Sequence, residues 1–560
     1  MKLRTLWSAA LCAWVAAAFV GVAVAESGPG KAAIASAHPL ASEAGQEILA
    51  QGGNAFDAAV AVAAALAVVE PTGSGIGGGG FLLLHRASDG LNTMIDAREK
   101  APAAATRDMF LDKAGNPVPG LSTDSALAAG IPGEPAGLAL LAQKYGRLPL
   151  KATLQPAIRL ARDGFPVYPK LQSGIRAKLE TFRRSRATAR LFLKDGDVPS
   201  LGFTIRQPDL ARTLKRMADK GAEAFYQGAF ARKLVVGVRK LGGIWSEQDL
   251  ADYSALERPP IVGSYRGARI ICAAPPASGG IALVDALNIL EAYDLPSLDS
   301  ATRKHVIVEA MRRMHRDRAI YLGDPDFVPV PVARLTHKFY ADGQRTSLRL
   351  DRATPSEMLP SGAIAASQGS NTTHFSILDR DGNRAAVTFT LNTGFGTGLM
   401  VPGTGVLLNN QMDDFSIKPG TPNVYKLIGA EANAIAPGKR PLSSSTPTFV
   451  ETDHGLLIVG SPGGSYIIGM VLLATLDFLD GRSAEEIVNA PRIHHQYYPD
   501  VIRYEPHALS KAERAALAGR GHQLKEGGPW GNMQVVTWDY DSGRVSAAAD
   551  PRGDGAGIVR

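Results

Sequence analysis

Thr372 stands in the run Asn371-Thr372-Thr373-His374-Phe375-Ser376. A threonine hydroxyl is a weak nucleophile until a base stands beside it. At a new chain N-terminus it carries its own base. An α-amino group has a pKa of about 7.7–8.0, so a useful fraction is neutral near physiological pH. That amine can take the hydroxyl proton directly or through one water, a known variant of Ser-His-Asp logic. The chemistry requires the Asn371–Thr372 bond to break. The Thr372 hydroxyl would attack the Asn371 carbonyl, an N-to-O acyl shift would give an ester, and water would open it. Taken alone, the tripeptide Thr-Thr-His reads better as the opening of an edge strand.

Other reactive side chains carry less. His494 and His495 are adjacent, so their rings cannot share one helix face as metal ligands, and they read as structural residues beside Pro491-Arg492. His305 with Glu309, and His315 with Asp317, fall in an Arg-rich helical stretch and read as packing and salt-bridge residues rather than zinc ligands. Asp413-Asp414 fits a turn or a calcium pair, but no loop of further oxygen ligands is near. Arg98 alone reads as a surface or salt-bridged arginine. No cofactor or metal is expected.

Positioning such groups takes rigid elements. Residues 41–51 read as a helix closed by Gly52-Gly53. Residues 55–69 form an Ala/Val-rich helix, apolar all round and therefore buried between layers. The glycine run before Phe81 leads into a strand at 82–84. Residues 123–360 read as helices broken by Gly and Pro, clearest at 138–145, 154–163, 210–220 and 281–292. Residues 375–378 and 385–390 read as strands across an Asp-Arg-Asp-Gly-Asn turn, a hairpin signal. A buried strand at 456–459 precedes a Gly463-Gly464 turn and a helix at 465–478, and a last hairpin spans 534–547. Strands cluster near both ends and helices fill the middle, an α+β or layered arrangement in one body. Residues 361–370, just before Thr372, are small and loop-like.

Composition is ordinary for a globular chain, with 45% hydrophobic and 20% charged residues among 560. Lys2 and Arg4, an apolar run at 6–24 and Ala23-Val24-Ala25 before Glu26 read as a secretory signal cleaved after Ala25. An uncleaved anchor is the alternative, since the run nears spanning length. Cys12 lies in that signal, which leaves Cys272 alone and excludes an intramolecular disulfide or a Cys-rich metal site. Export without disulfides points to a periplasmic or secreted protein with a large buried core. Net charge is +7, and loss of Lys2 and Arg4 leaves +5, so only the stretch holding Arg183, Arg184, Arg186 and Arg190 is locally basic. That stretch reads as a solvated helix face rather than an anion contact, and nothing suggests nucleic acid.

Downstream segments change the meaning of Thr372. Asp381-Gly382-Asn383, Thr388-Phe389-Thr390-Leu391-Asn392, Asn409-Asn410-Gln411-Met412-Asp413-Asp414-Phe415, Pro441-Leu442-Ser443-Ser444 and Gly460-Ser461-Pro462-Gly463-Gly464-Ser465 come in order. Upstream stand Gly52-Gly53-Asn54-Ala55-Phe56-Asp57, Asp96-Ala97-Arg98-Glu99, Pro276-Ala277-Ser278-Gly279-Gly280 and Tyr321-Leu322-Gly323-Asp324-Pro325-Asp326-Phe327. Together these resemble the gamma-glutamyltransferases (gamma-glutamyl transpeptidases, glutathione hydrolases), over nearly the whole chain.

The resemblance implies the N-terminal-nucleophile hydrolase fold, a four-layer αββα sandwich. It implies self-cleavage between Asn371 and Thr372 into a large subunit, 26–371, and a small one, 372–560, forming one heterodimeric body. Thr372 is then the nucleophile, Thr390 its hydrogen-bonded support, and Gly463 and Gly464 the oxyanion-hole glycines. Arg98 would fork onto the substrate α-carboxylate, with Ser443 and Ser444 as hydroxyl partners. Asp414 would pair with the α-ammonium, helped by Asn392 and Gln411. Residues 418–425 resemble the lid loop, with Tyr425 the aromatic over the pocket. The implied partners are glutathione or another γ-glutamyl amide, and water, an amino acid or a dipeptide as acceptor. Asn371 and Gly394 depart from some relatives, which touches cleavage rate and acceptor contacts. Two rivals remain: an acylase for glutaryl-cephalosporin-like amides, and a non-catalytic γ-glutamyl-binding protein.

Overall fold

The computed structural model describes residues 28–359, 372–427 and 429–560. The export signal and Asn371 lie outside the described residues. Two antiparallel sheets are stacked face to face. The larger runs Ala556–Val559, Ala33–Ser36, Thr373–Leu378, Arg384–Thr390, Gly79–Arg86, Leu91–Ala97, Leu256–Arg258. The smaller runs Val545–Ala549, Gln534–Asp539, Gly455–Gly460, Thr448–Thr452, Ala268–Cys272, Ile261–Tyr265. Helices Pro39–Ala50, Ala55–Val69, Glu134–Tyr145 and Gln155–Asp163 cover the first sheet, and Gly279–Leu290, Ser300–Tyr321 and Tyr466–Leu479 the second. This is the αββα sandwich expected.

The helix over the first sheet shows how composition makes a layer. All fifteen residues of Ala55–Val69 are buried. Asn54 caps it through the Phe56 and Asp57 amides, and Asp57 returns a bond to the Asn54 amide at 3.0 Å. Such a reciprocal cap satisfies donors that a buried helix end cannot leave open. Alanines let the neighbouring helix approach closely: a Cβ on Gly45 would stand 2.6 Å from Ile34 and Val62.

Along Thr373–Leu378 the side chains alternate. Phe375 and Ile377 join the helix-side core, while His374 and Ser376 turn toward the second sheet. The polar pair is satisfied there. The Ser376 hydroxyl donates to Gln534 O at 3.0 Å, so His374 Nε2–H donates to Ser376 Oγ and His374 Nδ1 accepts from Thr388. Burial pushes the imidazole down to about 3, so it is neutral. Gly460 lets the ring lie between the sheets, since a Cβ there would come within 2.6 Å of three of its atoms. Gly460→Ala is expected to cost about 1–3 kcal/mol by overpacking. Urea denaturation of the purified protein checks this, and a loss below the range would mean that the ring shifts freely.

Both sheets draw strands from either side of Thr372. The helices and hairpins expected from sequence are present within a few residues, and Thr372 directly precedes the strand that begins at Thr373. The middle is less helical than expected. Residues 256–272 supply three strands, among them Ile261–Tyr265 and Ala268–Cys272. Pro259, Pro260, Gly263 and Gly267 hid them, because Pro and Gly read as breakers. The basic stretch folds as short helices with Arg183, Arg184, Arg186 and Arg190 exposed.

Candidate active site

Thr372 is 7% exposed and its hydroxyl lies 3.3 Å from that of Thr390. Thr390 Oγ1 accepts the Asn392 amide at 2.8 Å, which leaves its own proton for Thr372. Asn392 takes a left-handed φ of 78° and anchors by Nδ2 to Asn410 O at 2.9 Å. That turn sends the Asn392 carbonyl to the Tyr425 hydroxyl, which donates to it.

Tyr425 closes the site. It is 5% exposed, and a Cβ on Gly464 would stand 2.5 Å from its ring. Gly463 and Gly464 have φ of 142° and 55°, conformations that favour glycine, and lead into helix Tyr466–Leu479. Among the described residues no protein acceptor takes either glycine's N–H. Two free amides at the start of a helix suit a developing oxyanion. The loop that carries Tyr425 is held by Asp413, which accepts the Val424 amide at 2.9 Å and the Ser122 hydroxyl at 2.7 Å. Burial pushes Asp413 up to about 7. Tyr425→Phe removes one buried hydrogen bond, worth about 0.5–1.5 kcal/mol. The expected result is a stability loss of that size, read by urea denaturation of the purified protein; unchanged stability would mean that ring packing alone holds the loop.

At the charged end of the site two of the expected binding groups touch each other. Arg98 Nη2 is bonded to Asp414 Oδ2 at 2.5 Å, so the cation and anion assigned to the two charges on one α-carbon also meet each other. Gln411 Nε2 donates to the same oxygen at 2.7 Å. Among the described residues no hydrogen bond reaches Asp414 Oδ1. Arg98 is fully buried and is no surface residue. Its Nε donates to Pro441 O at 3.0 Å, and among the described residues neither the Ser443 nor the Ser444 hydroxyl bonds to it directly. The Pro441-Leu442 carbonyls already fill that side of the guanidinium. Ser443 bonds to Ser445, while Ser444 Oγ and Gln411 Oε1 are buried and bond to no protein group. Glu99, beside Arg98, is raised to about 7 by burial, against the pull of Arg98.

Sequence reasoning assigned no role to several supports. Asn433 ties the site's two segments, donating to Asp414 O at 2.7 Å and accepting Leu442 N at 3.0 Å. Asn410 holds Asn392 and Thr393. The Asn409-Asn410 pair beside Asp413 was the available signal. Elsewhere, ligand atoms of His305, Glu309 and His522 lie within 4.8 Å of one another. Glu309 is already paired with Arg313 at 2.6 Å and with Arg312, so two guanidiniums oppose any added cation.

The family model for gamma-glutamyltranspeptidase matches residues 41–559. The chain belongs to the gamma-glutamyltranspeptidase family. It is 45% identical to the Escherichia coli (strain K12) glutathione hydrolase proenzyme over 524 residues, 93% of this chain and 90% of the relative. The structure is similar to the cephalosporin acylase of Bacillus halodurans, with TM-score 0.83 and 28% identity, covering 94% of this chain and 96% of that one. It is also similar to the Helicobacter pylori gamma-glutamyltranspeptidase, with TM-score 0.57 and 44% identity, covering 60% of this chain and 96% of that one. Among the described residues no helix is long and apolar enough to cross a membrane.

Proposed function

We propose that this enzyme cuts itself before Thr372 and then transfers γ-glutamyl groups from glutathione and related amides. The Thr372 hydroxyl, its proton taken by the new α-amino group, attacks the γ-carbonyl carbon. Thr390 donates a hydrogen bond to that oxygen and fixes its direction. Gly463 and Gly464 N–H groups receive the oxyanion. The C–N bond breaks, the amine leaves with a proton, and a γ-glutamyl ester remains on Thr372. Water returns glutamate, or an amine makes a new γ-glutamyl amide. Arg98 holds the donor α-carboxylate and Asp414 Oδ1 its α-ammonium, with Asn392, Gln411, Ser443 and Ser444 lining the pocket and Tyr425 excluding water.

The observation that carries this reading is the pair of fully buried Arg98 and part-buried Asp414, within the electrostatic reach of the same Tyr425 that covers Gly464. A site with one fixed cation and one fixed anion matches a zwitterionic head group. Large and small chains from one precursor, 26–371 and 372–560, would form the working unit, exported to the periplasm or exterior. Likeness to a cephalosporin acylase supports the glutaryl-amide reading as second choice. Incubation with glutathione should release glutamate and Cys-Gly, and a glutaryl amide should turn over far more slowly. Preference for the glutaryl amide would sink the first reading.

A further inference from the structure

Arg318, on helix Ser300–Tyr321, is a buried cation that forms no salt bridge to a carboxylate among the described residues. It is 5% exposed, and its Nε donates to Ser278 Oγ at 3.0 Å. Among the described residues its two terminal nitrogens bond to no protein group. Arginine is almost never fully buried unless paired. Burial lowers it to about 10, and the two charges that act on it are Asp414 and Arg98. The guanidinium therefore sits in the field of the donor pocket. Ser278 carries the link onward: its hydroxyl donates to Ser443 O at 2.6 Å and its amide to the same oxygen at 2.8 Å. Arg318 thus braces the Ser443-Ser444 segment through one serine.

We propose that Arg318 is a positioning and specificity-determining residue for the donor's α-carboxylate. Arg98 is already bound to Asp414, so its charge is largely matched. Arg318 adds the unmatched positive charge, acting across the buried pocket where Coulomb forces are weakly screened. Through Ser278 it also fixes the main chain that carries Ser443 and Ser444. The inference rests on the γ-glutamyl reading above.

The test compares γ-glutamyl p-nitroanilide with its α-carboxamide analogue, which keeps the shape and loses the charge. Arg318→Met is expected to raise KM for the carboxylate donor about tenfold, with kcat nearly unchanged and little effect on the carboxamide. Arg318→Lys restores most of the loss. Ser278→Ala, which keeps the cation but frees it, raises KM for the carboxylate donor a few-fold. Equal losses on both donors, or a fall in kcat alone, would overturn the proposal. If Arg318→Met does not mature, the lysine and Ser278→Ala variants decide, and wild-type KM in both on the carboxylate donor overturns it. A wild-type enzyme inactive on the γ-glutamyl anilide would instead refute the underlying reading.

Discussion

Thr372→Ala is expected to leave the purified protein as one uncut chain and to lower γ-glutamyl turnover about 10⁴-fold or more. Intact mass spectrometry reads the first effect and anilide release the second. Both trace to a single oxygen atom. In the mechanism proposed above the same hydroxyl first opens the bond to residue 371 and later attacks the donor, and the first step creates the base for the second. Thr372→Ser keeps the oxygen and should still mature. The hydroxyl of Thr390, at 3.3 Å, cannot substitute, because it has no freed amine beside it and is occupied by the Asn392 amide. Two fragments from Thr372→Ala would exclude Thr372 as the self-cleaving residue. An uncut wild-type chain would bring the binding-protein reading forward.

Asp414→Asn is expected to change what the enzyme prefers. Asp414 pairs with Arg98, which is fully buried, and truncating one partner of such a pair costs about 2–5 kcal/mol. For a γ-glutamyl anilide, kcat/KM should fall between about 30- and 5,000-fold, because the donor ammonium loses its anion and Arg98 loses its partner. A glutaryl anilide has no ammonium, and Arg98 released from Asp414 is free to hold its carboxylate. Its kcat/KM should fall by less than about tenfold, or rise. The ratio of the two constants is the informative number. An equal loss on both donors would show that Asp414 serves only to hold Arg98 in place.

Much of the architecture could be read from sequence because local signals were strong. Ala55–Val69 is apolar all round, and burial on every side is the only place for such a helix. The hairpin of Thr373–Leu378 and Arg384–Thr390 announced itself through its Asp-Gly-Asn turn. Ala33–Ser36 could not be seen, because four residues carry little pattern and one partner, Ala556–Val559, lies at the other end of the chain. At the site, residue types were legible through the resemblance, but pairings were not. Arg98 and Asp414 are 316 positions apart, and no spacing rule predicts that they meet. Arg318 was hidden for a related reason. Its helix is buried along most of its length and rich in arginine, so no periodic apolar face marks the side that meets the pocket.

The placement of Ala33–Ser36 has a consequence for the molecule after maturation. Under the proposed cut that strand would belong to the first piece, yet its neighbours on both sides, Thr373–Leu378 and Ala556–Val559, would belong to the second. A cut before Thr372 therefore severs the backbone without creating two separable partners. Parting them would strip hydrogen bonds from both edges of one strand and open both sheets, which amounts to unfolding. Cys272, buried and free, contributes no covalent tie, and none is required. The two chains should accordingly ignore mass action: diluting the enzyme should not release either one, and differently labelled preparations, mixed and left together, should not trade subunits.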